Sequence, residues 1–217
     1  MPSSNPETIT AVIGLIWKLA PKRVLDIGAG YGKFGVLFRE YLEMRHTQSG
    51  EPRRKGHTIW TYRVAHIDAV EGFEDYVGDL HRSVYDSVYV EDILNFIKKE
   101  WEYDFIFMGD LLEHIEKRVA VNELLPVLLK RAKMGVLVSV PVHVGTQAPE
   151  FGNEFELHRS RWNSRDFQGL ARFDYTGRKG NHLISFLTNQ VHCYRIARGN
   201  VFRRKLRAIK RAVQDSW

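Results

Sequence analysis

The sequence predicts an α/β protein built on a doubly wound, largely parallel sheet. Three observations carry this. Residues 24–35 (VLDIGAGYGKFG) run from an apolar strand through glycines at alternate positions into a segment whose apolar residues, Phe34, Leu37, Phe38, Tyr41 and Leu42, fall at helical spacing. Further apolar-rich runs recur at 65–70, 87–90, 103–108 and 135–141, as strands buried on both faces require. Helix-period segments separate them, and five strand–helix units in this order predict parallel strands joined by crossover helices.

The totals fit one domain with appendages. The chain has 217 residues, of which 44% are hydrophobic, enough for a sizeable core. No apolar run approaches the roughly 20 residues of a membrane span. The first residues, MPSSNP, lack the basic-then-apolar pattern of a signal peptide. The single cysteine, Cys193, rules out an internal disulfide and a thiolate metal cluster, so a cytoplasmic, reducing setting is expected. The net charge of +6 is unevenly placed. Residues 195–211 hold eight Lys and Arg and no acid, while residues 1–194 hold 24 basic residues and 25 acids. A nearly neutral body with a basic tail does not favour nucleic acid as partner of the core.

Taken in order, Asn5 and Pro6 make a helix start. Ile9, Val12, Ile13, Ile16 and Trp17 give that helix one apolar stripe, ending before Pro21. After the first strand–helix unit, residues 46–63 are polar and basic with Gly50, Pro52 and Gly56, and read as an inserted loop or hairpin with a short strand at Ile59 and Trp60. The second strand, 65–70, ends in Glu71, Gly72 and Phe73, and Phe73, Val77 and Leu80 form the stripe of the next helix. A third strand at 87–90 leads through Glu91 and Asp92 to a helix at 93–99. The fourth strand, 103–108, empties into Gly109, Asp110, Leu111, Leu112, Glu113 and His114. Residues 119–133 read as an apolar helix that Pro126 should kink or split. The fifth strand spans 135–141. A helix is expected near 164–170, then a hairpin of strands 172–176 and 183–188 joined by a turn at 177–180. From Arg195 the tail carries an apolar stripe (Val201, Phe202, Leu206, Ile209, Val213) on an otherwise basic helix, suited to docking on its own domain or to an anionic surface. The expected divisions are therefore 1–20, 21–190 with the insertion at 46–63, and 191–217.

Glycines at a strand end let backbone approach a ligand, and the free N–H groups of the following helix face it. The spacing is not that of dinucleotide folds, because Lys33 stands where their third glycine falls. With Asp26 it reads D-x-G-x-G-x-G, which resembles the class I S-adenosylmethionine (SAM) methyltransferases. The resemblance implies a Rossmann-like, seven-stranded sheet with an antiparallel last strand, an N-terminal helix that lids the site, SAM as cofactor and S-adenosylhomocysteine as product. It sets SAM against Asp26, Gly28, Ala29, Gly30 and Gly32. A carboxylate ending the second strand can accept from both ribose hydroxyls, which selects Glu71, with Gly72 and Phe73 beside it, over Asp68. Asp92 and Ile93 resemble the family's adenine site, although Asp92 can also cap the helix that follows, and both roles can hold.

D-x-x-E-H after the fourth strand also looks like this class. It places Asp110, Glu113 and His114 at the carboxyl edge of the sheet, where ligands of open α/β folds bind. The resemblance implies that Asp110 and Leu111 adjoin the cofactor. The later pattern N-x-x-E-x-H-x-S-x-W-x-x-x-D-F, from Asn153 to Phe167, is similar to that of many bacterial and phage-type methyltransferases. His158 is the expected general base, with His114 and Asp110 as further catalytic candidates. A metal version of the site resembles ubiquinone-pathway O-methyltransferases and small-RNA 2′-O-methyltransferases. Carried over, Asp110, Glu113, His114 and His158 would hold Mg²⁺ or Mn²⁺. The expected activity is methyl transfer to an oxygen or nitrogen of a small molecule such as a sugar. RNA methylation and a non-catalytic SAM-binding module are the alternatives.

Overall fold

The structure, a computed structural model, describes residues 6–48, 63–142, 152–170 and 173–198. Strands β1 (Arg23–Ile27), β2 (His66–Glu71), β3 (Ser87–Val90), β4 (Tyr103–Gly109), β5 (Ala132–Pro141), β6 (Phe173–Lys179) and β7 (His182–Thr188) form one sheet in the order β3-β2-β1-β4-β5-β7-β6. The first five are parallel, and β7 lies antiparallel between β5 and β6. The expected seven-stranded, mostly parallel α/β sheet is therefore present. The chain order reverses between β1 and β4, and open sheets bind ligands outside the strand ends at such a switch point.

Alternation along the central strand divides the core into two layers. Phe105 and Phe107 of β4 point to a face covered by α1 (Pro6–Leu19) and α2 (Lys33–Gln48). Ile106 and Met108 point to the other, covered by α4 (Ile93–Phe96) and the segment from α5 (Lys117–Val119) to α6 (Leu125–Arg131). The short α3 (Asp79–Val84) and a helical stretch over residues 191–198 complete the first face. In α1, Val12, Ile13, Leu15, Ile16 and Leu19 are buried, so the helix is held by its stripe. Each such side chain contributes about 1.5–3 kcal/mol.

Several expected boundaries move. The helix after the glycine turn runs on to Gln48, so residues 46–48 belong to α2; residues 49–62, with Ile59 and Trp60, lie outside the described residues. The stripe expected at Phe73, Val77 and Leu80 is not the buried one. Glu74–Tyr76 form a separate 3-10 turn and α3 begins only after Gly78, which turns Tyr76, His81 and Val84 inward and leaves Leu80 46% exposed. The helix expected at 93–99 is regular only over Ile93–Phe96. Pro126 does split the long apolar helix. It falls in the first turn of α6, where its missing N–H costs least, and a π-helical turn at Ala120–Leu124 precedes it. That helix ends at Arg131 rather than 133, because Ala132 already pairs with Tyr103. The segment near 164–170 is helical only as a 3-10 turn at Ser164–Phe167. The closing hairpin turns at residues 180–181, not at 177–180, since pairing continues to Lys179 opposite His182. The basic tail beyond residue 198 lies outside the described residues. No helix of the described residues is long and apolar enough to cross a membrane.

Candidate active site

The glycine turn sits at the carboxyl end of β1. Gly28, Gly30 and Gly32 have φ of 72°, 53° and 81°, a region side chains rarely enter. Glu71, at the adjoining end of β2, anchors the turn: Oε2 accepts from the Gly30 N–H at 2.8 Å and Oε1 from the Phe73 N–H at 3.0 Å. Burial pushes the Glu71 carboxyl up and these N–H groups pull it back.

Two residues that the sequence reading missed hold the same turn. His81 Nε2 lies 2.8 Å from the Gly30 carbonyl, and Nδ1 accepts from the Gly78 N–H, so Nε2 carries the hydrogen and donates. Burial lowers the pKa of this imidazole and keeps it neutral. Tyr85 donates to Asp26 Oδ2 at 2.6 Å. Asp26 is buried, and loss of solvent raises its pKa to about 7 against the lowering effect of Tyr85. His81 and Tyr85 bear no motif spacing; what could have found them is that α3 starts at Gly78, which fixes its inward phase.

Two adjoining cavities open at this edge of the sheet. The first, about 290 Å³, is lined by Gly28, Glu71, Gly72, Asp92, Ile93 and Leu111, with Ile115, Val119, Phe155 and Arg159 closing it. The second, about 280 Å³, is lined by Gly28, Ala29, Gly30, Lys33, Asp110, Glu113, His114, Glu156 and His158. Glu71, Leu111, His114 and Phe155 border both. Most of the expected residues thus converge. Asp26 and Gly32 stand behind the turn, and Phe73 packs edge-on against Tyr76 at 4.9 Å; none of the three borders either cavity among the described residues. Among the described residues, no α1 side chain borders them either. Asp92 caps α4, its Oδ1 accepting from the Leu94 N–H at 2.7 Å.

The second cavity concentrates titratable groups. Asp110 has the left-handed φ of 51°, and its Oδ1 lies 3.2 Å from His182 Nε2 on β7, a residue the sequence reading did not single out. Glu113 is buried, and loss of solvent, then the charges of Asp110 and Glu156, hold its carboxyl well above the usual range. Its Oε2 has no hydrogen-bond partner. Burial and the neighbouring His158 push His114 down to about 4. His114 Nε2 approaches Glu113 Oε1 at 3.9 Å. The His114 and His158 rings are 4.9 Å apart, and Glu113, His114 and His158 offer donor atoms within 4.8 Å of one another. Asp110 is not in that group.

The segment carrying His158 is fastened at both ends. Tyr76 donates to Glu156 at 3.2 Å, and Asn153 caps the Phe155 N–H. Beyond His158, the N–H groups of Arg159 and Ser160 donate to the Glu113 carbonyl, and Trp162 Nε1 to that of Leu112. Glu156 is a site residue that the sequence reading quoted in its motif without a role. Chemically, the first cavity offers apolar walls with the carboxyl-bearing Glu71, Glu91, Asp92 and Glu116, which suit the donors of a nucleoside, and the second offers acids and imidazoles that can hold or move a proton.

No family model matches the sequence, and no curated protein does. Solved structures do. Over 86% of this chain and 42% of the other, it superposes on monomeric WbdD with a TM-score of 0.58 at 15% identity. An O-methyltransferase family protein from Burkholderia thailandensis gives 0.54 at 12% identity, over 84% of this chain and 56% of that one. A methyltransferase from Geobacter sulfurreducens gives 0.53 at 14% identity, over 88% and 82%. The chain shares the fold of these proteins. At these identities the likeness is one of architecture, and the chain spans less than half the length of WbdD.

Proposed function

We propose that the protein is a SAM-dependent methyltransferase acting on an oxygen or nitrogen of a small molecule. The observation that carries this reading is the placement of Glu71: one carboxylate both fastens the glycine turn and borders two joined cavities, one suited to adenosine and one bearing proton-transfer groups. In this reading Gly28, Ala29 and Gly30 give backbone to the amino-acid part of SAM, and Glu71 and Asp92 accept from its ribose and adenine. Gly72, Ile93 and Leu111 pack against the nucleoside. Asp26 and Gly32 support the turn, and Phe73 supports Tyr76. When bound, SAM supplies a methyl group already activated by its sulfonium. The protein's task is to hold the acceptor about 3 Å from that carbon and in line with the leaving sulfur. His158 takes the acceptor's proton, contributing roughly 10²–10⁴-fold, while Asp110 and His114 orient the acceptor. Formation of S-adenosylhomocysteine across sugars, phenols, amines and short RNAs, with and without Mg²⁺, tests the reading; no turnover with any class despite SAM binding would favour a non-catalytic module.

One observation favours a second version with a divalent cation. Glu113, His114 and His158 meet within 4.8 Å, and the unpartnered Glu113 oxygen is the kind of atom a metal satisfies. One carboxylate and two imidazoles suit Mn²⁺ better than Mg²⁺, and such an ion would polarise a bound hydroxyl. Activity lost to chelation and restored by Mn²⁺ supports it; full activity in a chelator removes it.

A further inference from the structure

Phe155 sits where the two cavities meet. Gly28, Glu71, Leu111, His114 and Phe155 border both, and Phe155 is the one supplied by the segment after β5. Asn153 and Glu156 on either side of it are buried, yet Phe155 is 45% exposed and stands outside both core layers. A lone apolar side chain on an outer surface needs no explanation. Among the described residues Tyr31, Leu80, Val90 and Val191 are exposed in that way, and none of them borders a cavity; Phe155 borders two.

The ring is also held in place. The Phe155 N–H donates to Asn153 Oδ1 at 2.9 Å, and the next residue, Glu156, accepts from Tyr76. A Cβ on Gly72 would lie 3.2–3.3 Å from three consecutive carbons of the ring tip. Near-equal distances to three neighbouring carbons mean that the ring's face, not its edge, rests on Gly72. A glycine at 72 is what admits the ring so close. Gly72 follows Glu71 directly, so a ligand that meets the Glu71 carboxylate also meets this ring.

We propose that Phe155 is a cofactor-binding residue, its ring closing over the ribose of SAM where that ligand passes from one cavity to the other. The identity of the ligand rests on the methyltransferase reading above. In that reading adenosine fills the first cavity and the amino-acid part enters the second, so the ribose crosses the junction. Glu71 takes the sugar's hydroxyls, which leaves its C–H groups for an apolar surface. The exposed part of the Phe155 ring is such a surface, and covering it with ligand removes it from water.

The test uses the full chain. SAM and S-adenosylhomocysteine are titrated calorimetrically into the wild type, Phe155→Ala and Phe155→Leu, and adenosine is measured by its displacement of S-adenosylhomocysteine. Melting transitions confirm that each variant is folded. Phe155→Ala should weaken all three ligands by about tenfold and by a common factor, because the ribose is what they share, and Phe155→Leu should weaken them less. Phe155→Trp should gain an emission change on adding SAM that the wild type lacks, which a merely structural residue would not show. Unchanged affinity in Phe155→Ala, a loss for SAM without a loss for adenosine, or Phe155→Trp binding SAM with no added emission change overturns the proposal. Any of these with tight SAM binding to the wild type removes Phe155 and leaves the methyltransferase reading; no binding of SAM or S-adenosylhomocysteine to the wild type removes both.

Discussion

Tyr85 donates its phenolic hydrogen to Asp26 at 2.6 Å beneath the glycine turn, with the His81 ring stacked on its own. The pair makes stability depend on pH. Asp26 titrates at 3.8 ordinarily and at about 7 when folded, so between these values the folded chain binds the extra proton. Stability from this group is therefore full below about pH 4 and is lost as pH rises to about 7, at up to about 1.4 kcal/mol per pH unit. Asp26→Asn keeps an acceptor for Tyr85 and removes the charge. Chemical denaturation at pH 5 and pH 8 should show the variant gaining on the wild type at pH 8; an unchanged difference contradicts the assignment.

Tyr85 also dictates glycine at position 35. A Cβ there would lie 2.3–2.6 Å from its ring and hydroxyl. Overpacking of this kind costs about 1–3 kcal/mol. Gly35→Ala should lower the melting temperature by several degrees, and the added substitution Tyr85→Phe should recover little of it, because the ring remains.

Loss of Glu71 should be felt first in cofactor affinity. Glu71→Gln keeps the shape but turns one acceptor oxygen into a donor facing the Gly30 or Phe73 N–H. Hydrogen bonds to a charged group contribute about 1.5–3 kcal/mol, so SAM affinity should fall roughly 10- to 100-fold. His81→Ala frees the Gly30 carbonyl on the other side of the turn and should weaken SAM binding less, without a change in the pH profile of turnover.

His158→Ala should separate chemistry from binding. His158 sits on a segment fastened at Glu156 and again at Arg159, Ser160 and Trp162, so truncation removes the imidazole without freeing the chain. Turnover should drop about 10²–10⁴-fold with SAM affinity within a few-fold of wild type. Equal losses in both would assign His158 a structural task.

The strands and the glycine turn were legible because each is a local signal: an apolar run, a strand-end acid, glycines at alternate positions. Glu71 could be placed although residues 46–63 lengthen its distance from the turn, since it ends its strand. Features that depend on the phase of a short element were not legible. Leu80 looked buried because Phe73, Val77 and Leu80 share a helical period, yet the chain breaks that period at Gly78. His81, Tyr85 and His182 have no sequence signature, since each acts through a partner 35 or more residues away or across the sheet. The acid-lined chamber emerges only when Glu156, quoted for its motif alone, folds back against Tyr76 and the end of β4.

Calorimetric titration of SAM into the wild-type chain and into Glu71→Gln measures most directly whether the glycine turn and Glu71 form a cofactor site. The prediction is one SAM per chain for the wild type, S-adenosylhomocysteine competing for the same site, and an affinity at least tenfold weaker in the variant. No heat from either compound with a folded wild-type protein, or equal affinity in the two proteins, would contradict it.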